Sequence, residues 1–190
     1  MLGVTKEEIL FMVNKNNVLQ NKITKESIFT ALMILMEENN FKEISISEIA
    51  KKAGVSRMAF YRNYNVVEDI ITSYINEFFE EYSKQILSFE IHDNYESVRL
   101  FFAYFRNHDQ FINNLINSDL TNLLLEKGVE YFHSLSQETV CEKLYSPIKE
   151  RYIIEFKAGG LFKVLIEWVK SGMKENDEDM SELVCDIIND

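Results

Sequence analysis

The scarcity of glycine and proline is the feature that most restricts how this chain can fold. The 190 residues include 6 glycines and 1 proline, whereas average usage gives about 13 and about 10 for this length. Hairpins and other tight turns depend on these residues to reverse the chain. Long helices joined by a few turns need far fewer of them. The sequence therefore predicts an all-α fold and disfavours all-β architectures.

Composition narrows the class of protein further. Hydrophobic residues make up 46% of the chain, enough to bury a core. The longest uncharged stretch, Ser27–Met36, is about half the roughly 20 residues that span a bilayer. Met1–Glu8 lacks the basic flank of a signal peptide, and Cys141 and Cys185 are too few for a disulfide framework. We expect a cytoplasmic protein with no membrane partner.

Charge is distributed unevenly along the chain. Residues 1–64 carry 9 basic and 7 acidic side chains, a net of +2, and residues 65–190 carry 11 and 24, a net of −13. A near-neutral segment joined to a strongly acidic one indicates two functional units. Acidic surfaces also simply keep proteins soluble, so charge alone does not identify a function.

The amino-terminal third predicts short helices around a tight turn. A possible short helix starts at a Thr5–Glu8 capping box, the Asn-rich stretch Asn14–Asn21 predicts a break, and a firmer helix begins at Thr24. Two short helices follow; Ser47 is the predicted cap of the first and Ser56 of the second, which runs to Asn63. Gly54 supplies the left-handed residue between them. This arrangement is a helix-turn-helix.

Longer helices are predicted beyond Tyr64, about nine helices in the whole chain. Their apolar residues recur at helical spacing, and Gly172 ends the longest. The predicted spans are Ile70–Ile86, Asp93–Asn107, 110–116, Asp119–Phe132, Pro147–Ser171 and Asp177–Ile188. We divide the chain into an extension (1–20), a helix-turn-helix domain (21–66) and a helical regulatory and dimerisation domain (67–190).

The segment Ile44–Tyr64 resembles the DNA-binding domain of the tetracycline-repressor (TetR) family of bacterial regulators. The shared features are an Ile-Ala pair at Ile49, the Ala-Gly-Val-Ser run beginning at Ala53, and the Phe60-Tyr61 pair with a second aromatic three residues on. The resemblance implies a homodimeric transcriptional regulator that acts as a repressor on a pseudo-palindromic double-stranded DNA operator. It also implies release from DNA when an unknown small-molecule effector enters the carboxy-terminal domain.

The second of the two short helices, Ser56–Asn63, is the predicted recognition helix, which contacts DNA in the major groove. Arg57 presents the planar fork that suits guanine, and Ala59 is a small partner for a thymine methyl group. Tyr61 can donate to a phosphate, whereas Phe60 faces the core with Ile49. For Tyr64, phosphate contact and plain packing are equally open. The full predicted DNA-binding set is Lys25, Ser47, Ser56, Arg57, Met58, Ala59, Tyr61, Arg62, Asn63 and Tyr64.

Two positions depart from the family pattern. The family often has histidine where Asn63 stands, and lysine at the position of Val67. Without this lysine, one counterion fewer is released when the protein binds DNA. Lys25, Lys51 or Lys52 could supply the missing positive charge. The absence of a lysine at Val67 favours an alternative function: a protein-interaction module with the same fold that has lost specific operator binding.

Aromatic residues dominate the acidic part of the chain, where they predict either a packed core or a pocket for an apolar effector. The pocket set is Phe78, Tyr82, Phe102, Phe105, Phe111, Tyr131 and Phe162. Polar groups that could orient an effector are Tyr82, Tyr104, Asn113, Asn114 and Tyr131.

The segment Ile153–Val169 is apolar on nearly every side, which one helix facing one core does not require. The surplus face predicts a two-fold partner helix. The predicted dimer interface is Leu161, Val164, Leu165, Trp168, Leu183 and Ile187.

No enzyme, cofactor or metal site is expected. His92, His108 and His133 have no metal-binding spacing, and Cys141 has no basic neighbours that would activate it. Phosphate-binding loops, nucleophile elbows and paired catalytic carboxylates are lacking in the sequence.

Overall fold

The computed structural model of the chain describes residues 6–89, 93–138 and 146–189. These ranges contain nine α-helices, one short 3-10 turn at Phe41–Glu43 and no strand, which confirms the all-α prediction. Thr5, His92 and Cys141 lie outside them. The helices are α1 Lys6–Glu38, α2 Ile46–Lys52, α3 Arg57–Tyr61, α4 Val67–Leu87, α5 Asn94–Arg106, α6 Asp109–Asn117, α7 Thr121–Glu138, α8 Pro147–Lys170 and α9 Asp177–Asn189.

The chain divides into two compact units between Thr72 and Ser73, a point inside α4. The first unit contains the helix-turn-helix, and the second contains the longer helices. The functional division at residues 66 and 67 stays a prediction.

The first helix is continuous from Lys6 to Glu38, so the predicted break at Asn14–Asn21 is wrong. Asparagine costs a helix only about 0.7 kcal/mol per residue relative to alanine, less than glycine or proline, and α1 contains neither of those. Helix growth is cooperative once a turn exists. A helix anchored by the buried Ile28 and Leu32 can therefore extend through these weaker residues.

The second helix begins earlier than predicted. Ser45 caps it, because the Ser45 hydroxyl accepts the Glu48 amide at 3.3 Å and the Glu48 carboxylate accepts the Ser45 amide at 2.8 Å. The prediction of Ser47 as the cap is wrong by two residues. Ser45-x-x-Glu48 is itself a capping-box pattern, and it determines where the helix starts.

In the second unit, α5 packs along α9 and α7 packs along α8. The predicted helix starts at Asp93 and Pro147 are confirmed, as is the stop at Gly172, whose φ is +87°. The seventh helix starts at Thr121 rather than Asp119. Asp119 has a left-handed backbone with φ of 58° and ends the turn that follows α6.

A close approach of α7 to α8 requires glycine at position 128. A Cβ added there would overlap the ring of Phe162, which is fully buried. Interiors at native density cannot absorb such an overlap without displacing neighbours. A larger residue at position 128 would therefore require α7, α8 or the Phe162 ring to shift.

None of the helices in the described ranges combines the length and the apolar character that crossing a membrane demands.

Candidate functional site

The turn between α2 and α3 is built around Gly54. Its φ of +66° lies in the left-handed region that glycine adopts at least cost. The amide of Val55 donates to the carbonyl of Ala50 at 3.0 Å and closes the end of α2. The chain can thus reverse within a few residues, which places α3 against α2.

One face of α3 is in the core and the other faces solvent. Phe60 is fully buried, with its ring 5.6 Å from that of Tyr61 and 5.9 Å from that of Tyr64. Ser56 caps the helix by accepting the amide of Ala59 at 3.1 Å, as predicted. The helix is two residues shorter than predicted, because it ends at Tyr61.

The predicted DNA-binding residues differ in exposure. Met58 is 67% exposed and Tyr61 47% exposed. Tyr64 is only 6% exposed, and the Lys25 ammonium lies over its ring at 5.9 Å, so packing is the role that the structure supports for this ring. The other exposed members are Ser47, Ser56, Arg57 and Arg62, and the half-buried members are Lys25, Ala59 and Asn63.

A pair of asparagine amides links α1 to the end of α3. Asn21 Nδ2 donates to Asn63 Oδ1 at 2.8 Å, and Asn63 Nδ2 donates to the Ala59 carbonyl at 2.9 Å. Asn21 is not among the predicted DNA-binding residues, because the asparagine-rich sequence around it predicts a helix break. Asn63 departs from the family pattern, and here it joins two helices.

A carboxylate within α4 caps the start of that helix. The Asp69 carboxylate accepts from the amides of Asn65 at 2.7 Å and Val66 at 3.1 Å. These bonds favour the ionised carboxylate and lower the pKa of Asp69. Val67 is half-buried. Position 67 thus has an apolar side chain where the family resemblance implies a cation.

The seven residues of the predicted effector pocket belong to one cluster of rings. Phe78 lies 5.1 Å from Phe105 and 5.9 Å from Phe111, and Phe105 lies 6.0 Å from Phe162, between ring centroids. Tyr131 is half-buried and the other six are buried. Burial raises the pKa of Tyr82, so that phenol stays neutral. The rings pack against one another and fill much of the space in which an effector is predicted to bind.

Two of the predicted orienting groups bind within the protein. The Tyr104 hydroxyl donates to the Phe78 carbonyl at 2.9 Å, and the Asn113 side chain donates to the Asp109 carbonyl at 2.9 Å. Burial also raises the pKa of Tyr104.

A cleft of about 370 Å³ opens between α4 and α7. Tyr131 is the one member of the predicted pocket in its lining, where its hydroxyl accepts from Ser83 at 2.8 Å. The Lys127 ammonium pairs with Glu130 at 2.6 Å. Sequence reasoning missed these polar residues, because helical periodicity gives only the apolar face. The cleft is lined by Asn76, Phe79, Glu80, Ser83, Lys127, Glu130, Tyr131, Ser134 and Leu135.

A second groove, of about 430 Å³, runs between α8 and α9 and is mostly apolar. Leu161, Val164 and Ile187 line this groove. Their side chains can be reached by a partner, which the interface prediction requires. Leu165 and Trp168 do not, because they are 0% and 3% exposed within the protein. Assigning these two to an interface is wrong: they are on the core face of α8. Leu183 is 46% exposed.

His108 and His133 contact protein groups that do not form a metal site. His108 Nδ1 is 2.8 Å from the Tyr104 carbonyl, and its ring lies 5.0 Å from Phe78. His133 Nε2 is 3.0 Å from a Glu155 oxygen. Among the described residues, no three histidine, cysteine, aspartate or glutamate side chains lie close enough together to hold a metal ion.

Solved structures with the same fold come from several bacterial proteins. Lin0861 from Listeria innocua has 17% identity and a TM-score of 0.74, with 90% of this chain and 92% of that chain covered. A TetR-family transcriptional regulator from Syntrophomonas wolfei has 18% identity and a TM-score of 0.69, with 88% and 93% covered. The dihydroxyacetone kinase operon activator DhaS has 20% identity and a TM-score of 0.55, with 87% and 92% covered. No curated protein matches the sequence significantly.

Two family matches cover most of the sequence. Residues 28–66 match the bacterial regulatory proteins of the tetR family, and residues 92–190 match a TetR-type transcriptional regulator C-terminal region. The second match alone spans more than half of the chain, and the first includes the turn and both of its helices. This chain belongs to the TetR family of transcriptional regulators.

Proposed function

We propose that the protein acts as a homodimer that binds a pseudo-palindromic operator with α3 and releases it when a small molecule binds the second unit. One observation carries the DNA-binding part of this proposal. Phe60 anchors one face of a capped helix, while Arg57 and Tyr61 remain exposed on the other. Such a protein acts where the DNA is, in the bacterial cytoplasm.

The exposed residues of α3 suit the two tasks of DNA recognition. Arg57 is at the first position of the helix, where side chains reach base edges in the major groove. Its fork can bind guanine O6 and N7, and Ala59 can contact a thymine methyl group. Tyr61 lies one turn further on and can donate to phosphate, which positions the protein without reading sequence. In a dimer, two such helices are expected about 34–36 Å apart, or a multiple of this.

Replacing Arg57 with alanine is expected to weaken operator binding by about 1–3 kcal/mol and to relax preference at one base pair of each half-site. The operator is first selected from a pool of random duplexes, and affinity for single-base variants is then measured. Replacing Tyr61 with phenylalanine should instead weaken binding to all sequences alike, because only a phosphate contact is removed.

The selectivity profile distinguishes these roles. An Arg57→Ala variant that keeps both the affinity and the base preference would show that another residue reads the operator. Failure of the pool to yield any enriched sequence would favour the alternative, a protein-interaction module of the same fold. The lack of a cation at Val67, with Glu68 and Asp69 in the first turn of α4, is the feature that supports this alternative.

The α4–α7 cleft is our proposed entry site for the effector, and its lining changes the chemical class that we expect. The stacked rings of Phe79 and Tyr131, 5.1 Å apart, supply an apolar wall. The Lys127–Glu130 pair and the Ser83 hydroxyl supply polar partners. A small polar molecule with a flat apolar part suits this lining better than the purely apolar effector that the aromatic content suggests.

Effector binding at this cleft is expected to raise the melting temperature and to lower operator affinity. A ligand at 100 times its dissociation constant stabilises the state it binds by about 2.7 kcal/mol. A thermal-shift screen of polar metabolite-sized compounds finds the ligands, and competition with labelled operator tests release. A Ser134→Phe substitution at the rim of the cleft should abolish both effects.

Ser88→Phe is the matched control, since Ser88 is exposed on the segment after α4 and outside the cleft lining. The variant should respond to the same compounds as the unchanged protein. Compounds that stabilise the Ser134→Phe variant fully would place the effector elsewhere, for instance among the rings around Phe105.

The proposed sense of regulation is repression. DhaS, which has the same fold, is named as an operon activator, so the fold does not determine the sign. A reporter under the selected operator decides it: deleting the gene for this protein should raise expression if the protein represses. Lower expression after deletion would show an activator.

A further inference from the structure

The stretch of α1 from Lys15 to Ile23 lies outside the core of the first unit. The helix has 33 residues, which corresponds to about 50 Å at roughly 1.5 Å per residue. Its first buried side chain among those described is Ile28, and every described side chain from Lys15 to Ile23 is exposed. Burial in the core therefore does not explain the side chains found between Lys15 and Ile23.

The exposed part of α1 has a distinctive composition. Residues 15–23 contain two lysines and no acidic residue, together with four asparagine or glutamine side chains. Lys15 and Lys22 are seven residues apart, so they lie on the same side of the helix. Lys22 is 3.8 Å from Glu26, but both side chains are well exposed, and such pairs contribute little. This ammonium can exchange its carboxylate for a phosphate.

The amide pair described above determines where this segment begins. Asn21 donates to Asn63, and Asn63 donates to Ala59 within the recognition helix. Lys25, one turn beyond Asn21, lies over the ring of Tyr64. The lysine-bearing part of α1 thus starts beside the end of the helix that is proposed to read the operator.

We infer that the Lys15–Lys22 segment of α1 is a second DNA-binding element, which binds the phosphate backbone beside each operator half-site. This inference rests on the proposed function, because it requires α3 to be in the major groove. Lysine and amide side chains are typical phosphate ligands, and a segment without carboxylates does not repel DNA. The added cations also offset the one that is missing at Val67.

A protein partner is the competing occupant, since Val18 is 71% exposed and Leu19 54% exposed. Two adjacent apolar residues among lysines and amides form a small patch. Interfaces between proteins are poor in lysine at their centres, which favours DNA as the occupant. The experiment separates the two occupants.

The test uses the full chain carrying Lys15→Gln and Lys22→Gln, with operator selected from random duplexes. Each lost phosphate contact should reduce the slope of log affinity against log salt by about 0.9, so the double variant, which removes four contacts from a dimer, should lose about 3.6. At about 0.1 M salt this corresponds to a roughly 1,000- to 10,000-fold loss of affinity. Base preference should stay unchanged, and the nuclease footprint should shorten at its outer edges.

Lys163→Gln with Lys170→Gln on α8 is the matched control, because it removes the same charge from exposed positions. Its slope should equal that of the unchanged protein. An unchanged slope in the α1 variant overturns the inference, while the Arg57→Ala result still reports on the proposed function. A changed sedimentation coefficient at unchanged slope also overturns it and shows a protein contact. If selection enriches no sequence, the proposed function and the inference fall together.

Discussion

Replacing Phe60 with alanine is expected to destabilise the helix-turn-helix unit by about 3–5 kcal/mol. The side chain is fully buried, between the rings of Tyr61 and Tyr64. Domains of this size are stable by only about 5–15 kcal/mol in total, so this one cavity removes much of the margin. Urea unfolding followed by circular dichroism measures the loss, and operator binding should fall with it.

Tyr61→Ala is the control for this experiment, because it removes a neighbouring aromatic side chain that is 47% exposed. Its loss of stability should be about 1 kcal/mol or less, whereas its operator affinity should fall clearly through the lost phosphate contact. The two variants therefore separate packing from recognition. A Phe60→Ala variant that unfolds at the same urea concentration as the unchanged protein would contradict the assignment of Phe60 to the core.

Local backbone chemistry explains why the helix-turn-helix could be predicted from sequence. Gly54 takes the left-handed conformation and Ser56 caps the following helix, as expected. Both effects need only the residue and its near neighbours. The cap of α2 was assigned to Ser47 because it precedes the apolar pattern, although Ser45 and Glu48 satisfy each other's groups. Ser45 and Ser47 are both candidates for the cap of α2. The reciprocal hydrogen bonds between Ser45 and Glu48 determine that Ser45 is the cap.

Features that depend on tertiary packing could not be predicted in the same way. Helical spacing shows that Leu165 and Trp168 are apolar, but it does not show which of two apolar faces of α8 meets the core. The cleft between α4 and α7 combines polar residues from segments about 50 positions apart, such as Ser83 and Tyr131. The Asn21–Asn63 bond likewise joins residues 42 positions apart. Each needs the fold before it can be recognised.

The proposed dimer interface is the mostly apolar groove between α8 and α9. Phe156 is 82% exposed and Ile187 63% exposed, and both line the groove between these helices. Burying such residues against a second copy contributes about 25 cal/mol for each Å² of apolar area removed from water. Gly159 and Gly160 have open space where a Cβ would be, so a partner helix could approach their backbone.

Glutamate at both Phe156 and Ile187 is therefore expected to convert the dimer to monomers. In a two-fold interface each residue occurs twice, so the double substitution places four carboxylates in a mostly apolar groove. Each such burial costs several kcal/mol, which corresponds to a rise of at least about 1,000-fold in the dimer dissociation constant. Operator affinity should fall by roughly 10²–10⁴. In a dimer, binding of one recognition helix to its half-site keeps the second recognition helix close to the other half-site, and a monomer lacks this advantage.

Sedimentation at micromolar concentration measures this change. Leu87→Glu with Phe89→Glu is the matched control, since these residues are 73% and 53% exposed and lie outside the α8–α9 groove. The control adds the same charge and should remain dimeric with full operator affinity. If Phe156→Glu with Ile187→Glu sediments as a dimer, the interface lies on another surface. If the unchanged protein is itself a monomer, the exposed apolar residues of α8 serve another partner, and operator recognition by a two-fold pair of α3 helices must be abandoned.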